Sequence, residues 1–164
     1  MSIPHVLAAL IAVGQLASAV SLEDQLGESH PLLDGKRPVL VLFEDQEGQK
    51  QNKAVKALIA AYNDPLPNRE RLRVWPVADL SKWNWWPAKG SALTDVKKAA
   101  AKSNTRVLID WTGALRKAWG LPKAKNSLVL IGTDGRVRFS SEGECSEAQK
   151  DALEHELKSL GLVR

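Results

Sequence analysis

Five consecutive apolar residues, Val39 to Phe43, running into the polar loop Glu44–Gln51, constrain this chain more than any other stretch. A strand that is apolar on both faces belongs in the middle of a sheet covered by helices on either side. Beyond the loop, Ala54, Val55, Leu58, Ile59 and Tyr62 recur at helical spacing, with Gln51, Lys53 and Lys56 on the opposite face. Asn63-Asp64-Pro65 and Pro67-Asn68 are expected to end that helix. Leu72–Val77 then reads as a second strand, Arg73 and Trp75 alternating against Leu72 and Val74, with Pro76 near its end. Strand, helix and strand joined by so short a crossover predict a right-handed parallel βαβ unit.

The remainder extends the pattern. Ser91–Lys102 carries Leu93, Val96 and Ala99 or Ala100 on one helical face, and Arg106–Asp110 is a short strand. Gly113–Trp119 is a brief helix closed by Gly120 and Pro122. Two apolar runs, Ser127–Ile131 and Arg136–Phe139, flank Gly132-Thr133-Asp134-Gly135, a strong hairpin signal. Ser146 and Gln149 form a capping box for a last helix with Leu153, Leu157 and Leu160 as its buried stripe and Gly161 as its stop. The expected fold class is α/β: a three-layer sandwich around a mixed central sheet, ending in a β-hairpin and a helix.

Bulk properties exclude several functions. With 164 residues, 44% hydrophobic and 26% charged, the chain suits one domain with its own core. Net charge is +4, with lysines scattered among acids, so a nucleic-acid partner is not expected. The single cysteine, Cys145, allows no intrachain disulfide and no thiol-based zinc cluster. His5, His30 and His155 lie far apart, and neither a metal nor a cofactor is expected.

The N-terminus resembles an export leader. Residues 6–13 are apolar and too short to span a bilayer, which takes about 20 residues; Ala17 and Ala19 then fit a small-residue cleavage pattern. No Lys or Arg precedes the apolar run, and a buried or amphipathic N-terminal helix is the alternative. The expectation is a signal peptide over 1–19, a polar lead-in over 20–36 and the folded domain over 37–164. Location would be periplasmic or secreted, with no stable membrane anchor.

Arg37–Gln51 and Arg106–Val137, with a strand, an aspartate turn, a helix ending in aromatic-Gly and an Asp-Gly hairpin, resemble the thioredoxin-like superfamily, especially its peroxiredoxin and TlpA branches. Within it, the GQKQNKAV and Asp110-Trp111-Thr112-Gly113 stretches are similar to the YtfJ-like periplasmic proteins. The resemblance implies a redox loop at Glu47–Gln51 and a proline before the hairpin strand. Gly48 and Gln51 stand where the two redox cysteines would be, and Asn126-Ser127 stands where the proline would be. Glycine and glutamine supply no thiolate, so thiol exchange at this loop is expected to be lost.

What remains is a set of candidate binding residues. Loops after parallel strands share one sheet edge, and here they offer Glu44, Asp45, Asp79 and Asp110, with Trp111. These acids suit proton transfer or cation binding, or else serve as turn formers and caps. Trp83, Trp85 and Trp86 fall within four residues, and suit either a recognition surface or a satellite core. Cys145 lies at a helix start but among Glu142, Glu144 and Glu147, which raise a thiol pKa. The expected function is a non-redox binding or accessory module for a protein, peptide or small ligand. The alternative is a thioredoxin- or peroxiredoxin-like oxidoreductase using the lone Cys145.

Overall fold

The computed structural model describes residues 10–164. Seven strands form one mixed sheet: β1 (Ser21–Asp24), β2 (Ser29–Pro31), β3 (Val39–Glu44), β4 (Arg73–Asp79), β5 (Leu108–Asp110), β6 (Ser127–Ile131) and β7 (Val137–Glu142), in the order β2-β1-β5-β4-β3-β6-β7. β3, β4 and β5 are parallel, and β6 returns antiparallel beside β3. The doubly apolar run Val39–Phe43 is therefore central, and all five of its residues are buried. The helices are α1 (Lys53–Asn63), α2 (Leu66–Arg71), α3 (Ala88–Ser103), α4 (Ala114–Trp119) and α5 (Glu147–Ser159).

The sheet separates two apolar layers. On one face, Val55, Leu58, Ile59 and Tyr62 of α1 meet Leu153 and Leu157 of α5 over Leu40, Leu42, Leu128 and Leu130. On the other, Leu115 and Trp119 of α4 cover Val39, Val41, Phe43, Val129 and Ile131. Alternate residues of β3 and β6 thus feed opposite layers, as the period of two requires. The Ser146–Gln149 capping box is formed in both directions, and Gly161 takes the left-handed conformation (φ 75°) that stops the helix.

Two sequence expectations are corrected. Residues 20–36 are not a lead-in: β1 and β2 pair as a hairpin, and β1 pairs antiparallel with β5. The hairpin was hidden because Leu22, the one inward apolar residue of its strands, shares that face with the buried acid Asp24. Asp24 accepts the amides of Leu26 and Glu28 and faces His30 (2.9 Å) and Arg106 (3.3 Å). Residues 10–19, which the leader expectation includes, also contact the fold. Ile11 is buried in the α4-side layer, its amide donates to Trp119 O, and the Trp119 indole donates to Ser18 O. Gly14, Gln15 and Ala17 exchange backbone hydrogen bonds with Gly135 and Val137. Cleavage after Ala19 would strip all of this away; the leader expectation for residues 1–9 lies outside the described residues.

Secondly, Pro76 is not near the end of its strand, because β4 runs over Arg73–Asp79. β4 is covered on both sides, so Trp75 and Val77 enter the α4-side layer while Val74 packs against the other. Pro76 is at mid-strand, and it is tolerated because pairing with β5 starts only at Val77. α3 runs from Ala88, three residues earlier than expected, and buries only Ala100 fully; Leu93 and Val96 are half-buried and Ala99 is exposed.

Candidate functional site

The loops after β3, β4 and β5 do share one edge, since Glu44 pairs with Ala78 and Asp79 with Asp110. Their side chains nevertheless divide into two groups. The first surrounds the loop Glu47–Gln51 ahead of α1. A single 3-10 turn, Gly48–Lys50, precedes α1, and Asn52, in the left-handed region at φ 58°, separates the two. Asp45 ties this turn down: Oδ1 accepts the amides of Glu47 and Gly48, and Oδ2 accepts that of Ala124.

Gly48 is closed in by the opposite loop. A Cβ built there would lie 2.6 Å from Lys125 C and 2.7 Å from Asn126 N. Gln51 Oε1 accepts the Asn126 amide at 2.8 Å. The Asn126 side chain donates to Glu44 (2.8 Å) and accepts from Asn52 Nδ2 (3.1 Å), and Asn52 also donates to Gly143 O. Amide hydrogen bonds thus join the loop before α1 to the loop before β6, and Asn126 is fully buried among them. Glu44 also pairs with Lys56 at 2.6 Å. The start of α1 is already met by an acid, because Glu144 accepts the Asn52 amide at 2.9 Å. A carboxylate there satisfies the positive end of a helix that would otherwise favour a thiolate.

In the second group, Asp110 is 0% exposed and accepts the amides of Ala114, Leu115 and Arg116, capping α4. Asp79 holds the Ser81 amide and hydroxyl through Oδ1 and Arg116 through Oδ2, at 3.1 Å. Every carboxylate expected at this edge is therefore engaged within the chain, in turns, caps and ion pairs. Trp111 is half-buried beneath Lys89, whose Nζ lies 4.7 Å from the ring centroid.

The tryptophans are the open feature. Trp83, Trp85 and Trp86 are 38%, 57% and 90% exposed, so the loop does not fold over as a satellite core. The Trp85 indole donates to Lys82 O, fixing one ring across the loop. The two clearest grooves lie elsewhere, one along Gln25, Lys97 and Asn104, the other along Gln15, Lys117 and Gly120.

Cys145 is half-buried against the α1–α5 layer. Its amide donates to Asn52 Oδ1, and its sulfur lies 3.2 Å from Ser141 Oγ. Burial pushes the thiol pKa up; the Ser141 contact pulls the other way, Glu144 adds to the rise, and the net shift is upward. Glu144 is thus the only one of the three expected glutamates that contributes. Among the described residues, Asp24, Glu28 and His30 could converge on a metal ion, yet the Arg106 guanidinium already lies within 3.5 Å of both carboxylates.

Sequence reasoning missed Asn52, Arg116 and the role of Gln51. Each acts on a residue at least 35 positions away, so local pattern gave no signal beyond an Asn immediately before a helix.

Similar folds recur among solved structures. A putative thiol:disulfide interchange protein DsbE from Chlorobium tepidum superposes with TM-score 0.63 at 18% identity, over 92% of this chain and 98% of its own. A pneumococcal exposed lipoprotein thioredoxin from Streptococcus pneumoniae gives 0.60 at 19%, over 87% and 99%. Peroxidoxin BcpB from Mycobacterium tuberculosis gives 0.58 at 17%, over 92% and 97%. No curated protein matches in sequence. Residues 88–159 match the family model described as a bacterial protein of unknown function, YtfJ_HI0045. The chain thus has a thioredoxin-like α/β fold, and its segment from α3 to α5 is similar to the YtfJ family model.

Proposed function

We propose that this chain acts by binding, as an accessory module on a thioredoxin scaffold, and carries out no thiol-disulfide exchange. The observation that carries the reading is the closure around Gly48. The position of the first redox residue is packed on the Lys125–Asn126 backbone and leaves no room for a side chain there. Gln51, Asn52 and Asn126 hydrogen-bond to one another in place of a thiol pair and proline. Structural relatives named for thiol interchange or peroxidation favour an oxidoreductase instead. For this chain, that reading must run through Cys145, whose half-burial and raised pKa oppose it.

Insulin reduction with a dithiol donor, and peroxide consumption, decide between the two. The expected rates equal those of Cys145→Ser, while a Cys145-dependent rate would replace the binding reading with the redox one. The exposed tryptophan loop is the contact surface under this proposal, for a partner protein or peptide. A small ligand is less well supported, because the indoles stand on a loop and line neither of the two clearest grooves. No described helix is long and apolar enough to cross a membrane. Periplasmic or secreted location rests on the leader resemblance of residues 1–19, and the seating of residues 10–19 in the fold weighs against removal after Ala19.

A further inference from the structure

We propose that the tryptophan loop and helix α3 together form a docking surface for an anionic lipid bilayer, a reversible peripheral contact rather than an anchor. This rests on the reading of the loop as a binding surface and names its partner class. Three exposed indoles stand within four residues just before α3. Lys82 and Lys89 flank them; farther along, α3 carries Lys97, Lys98 and Lys102 around its circumference against one acid, Asp95, which adds to the positive charge without extending the same face. All five lysines are exposed, and among the described residues none forms an ion pair.

The chemistry matches a lipid interface on both counts. Indole rings partition to the headgroup level, apolar body inward and N–H outward. Lysines beside them are drawn to an anionic surface over a Debye length and lose that attraction in salt. Alternatives fit less well. A two-fold contact between copies of this chain would set Lys82 and Lys89 against their own equivalents. A single nucleic-acid strand would need a basic groove to follow, and the indoles occupy a loop outside the two clearest grooves. The Trp85–Lys82 hydrogen bond holds the loop in place before contact, which lowers the ordering cost.

Full-length protein is sedimented with vesicles of phosphatidylcholine alone or with about one-third phosphatidylglycerol, while tryptophan emission is recorded. The expected result is binding to the anionic vesicles with a blue shift, and about tenfold weaker binding in Trp85→Ala/Trp86→Ala, in Lys82→Glu/Lys89→Glu, and in high salt. Both variants change exposed side chains; the lysine variant also takes Lys89 off the Trp111 ring and is expected to melt slightly below the parent while staying folded at the assay temperature. Absence of binding to anionic vesicles, equal binding by the tryptophan variant, or transfer of the protein to a competing oligonucleotide would overturn the lipid assignment. If lipid binding fails while an acidic peptide still shifts the emission of the parent but not of the tryptophan variant, the binding reading stands and only its partner class changes. A Cys145-dependent redox rate defeats the binding reading whatever the vesicles show.

Discussion

A chain that begins at Val20 is expected to melt about 5–15 °C below one that begins at Leu10, equivalent to about 2–4 kcal/mol for a domain of this size. The effect comes mainly from what the segment covers. Trp119 is the largest fully buried side chain, and its indole N–H is satisfied by Ser18 O. Removing residues 10–19 bares one side of that ring, removes Ile11 from the layer beside it, and leaves Trp119 O without the Ile11 amide. At the other end of the segment, the amide of Val137 loses Gln15 O, and the carbonyls of Val137 and Gly135 lose Gly14 and Ala17. These groups belong to the β6–β7 hairpin, so the damage reaches the sheet edge as well as α4. Thermal melts of the two chains by circular dichroism make the comparison. Equal melting temperatures would mean that the segment is dispensable and that cleavage after Ala19 is structurally harmless.

Gly48→Ala is expected to destabilise by about 2 kcal/mol, a large effect for adding one methyl group. Alanine in place of glycine normally stabilises by restricting the unfolded chain, by about 0.4–1 kcal/mol. Here the added carbon lies 2.6 Å from Lys125 C and 2.8 Å from Lys125 O, and these are backbone atoms that cannot rotate away. The opposite loop must therefore move. It is held by Asp45 on the Ala124 amide, by Gln51 on the Asn126 amide, and by Ala124 itself at φ 57°. The denaturation midpoint in urea gives the measurement. A variant as stable as the parent would show that this loop yields freely. The same packing means that Gly48→Cys with Gln51→Cys restores the spacing of a redox pair without restoring its setting.

How far the sequence revealed these features depended on whether their causes were local. The β6–β7 hairpin was legible because Asp134-Gly135 specifies its turn, with Gly135 at φ 77°. α5 was legible because its capping box and leucine stripe lie within one helix. The β3–α1–β4 unit followed from apolar periodicity, which tertiary packing left intact. Residues 20–36 were misread as a lead-in because β1 and β2 are short and mostly polar, with Leu22 sharing its inward face with the buried acid Asp24. Asp24 went unnoticed within that polar stretch because its partners, His30 and Arg106, come from other elements.

At the candidate site, the positions of Asp45, Asp79 and Asp110 could be read from the strand ends. Their use as turn formers and caps could be read as well, but not the distant partners Ala124 and Arg116, which lie far along the chain. The tryptophan loop shows the limit from the other side. Sequence left its exposure open, since a Trp-rich loop packs or projects according to what the neighbouring helix covers. α3 covers little here, burying Ala100 alone.

The central claim, that a thioredoxin scaffold persists here without usable sulfur, meets its most direct test in the reactivity of Cys145. The rate of reaction with an aromatic disulfide reagent is measured against pH, for the native protein and for the same chain unfolded in guanidinium. Half-burial and the upward thiol pKa keep the native group neutral at a pH where an ordinary thiol has begun to ionise. The expected native rate is about an order of magnitude below that of the unfolded chain at neutral pH, and its alkaline rise is displaced to higher pH. A native thiol that reacts at neutral pH as fast as the unfolded one, with its rise at lower pH, would contradict the claim and make Cys145 a working nucleophile.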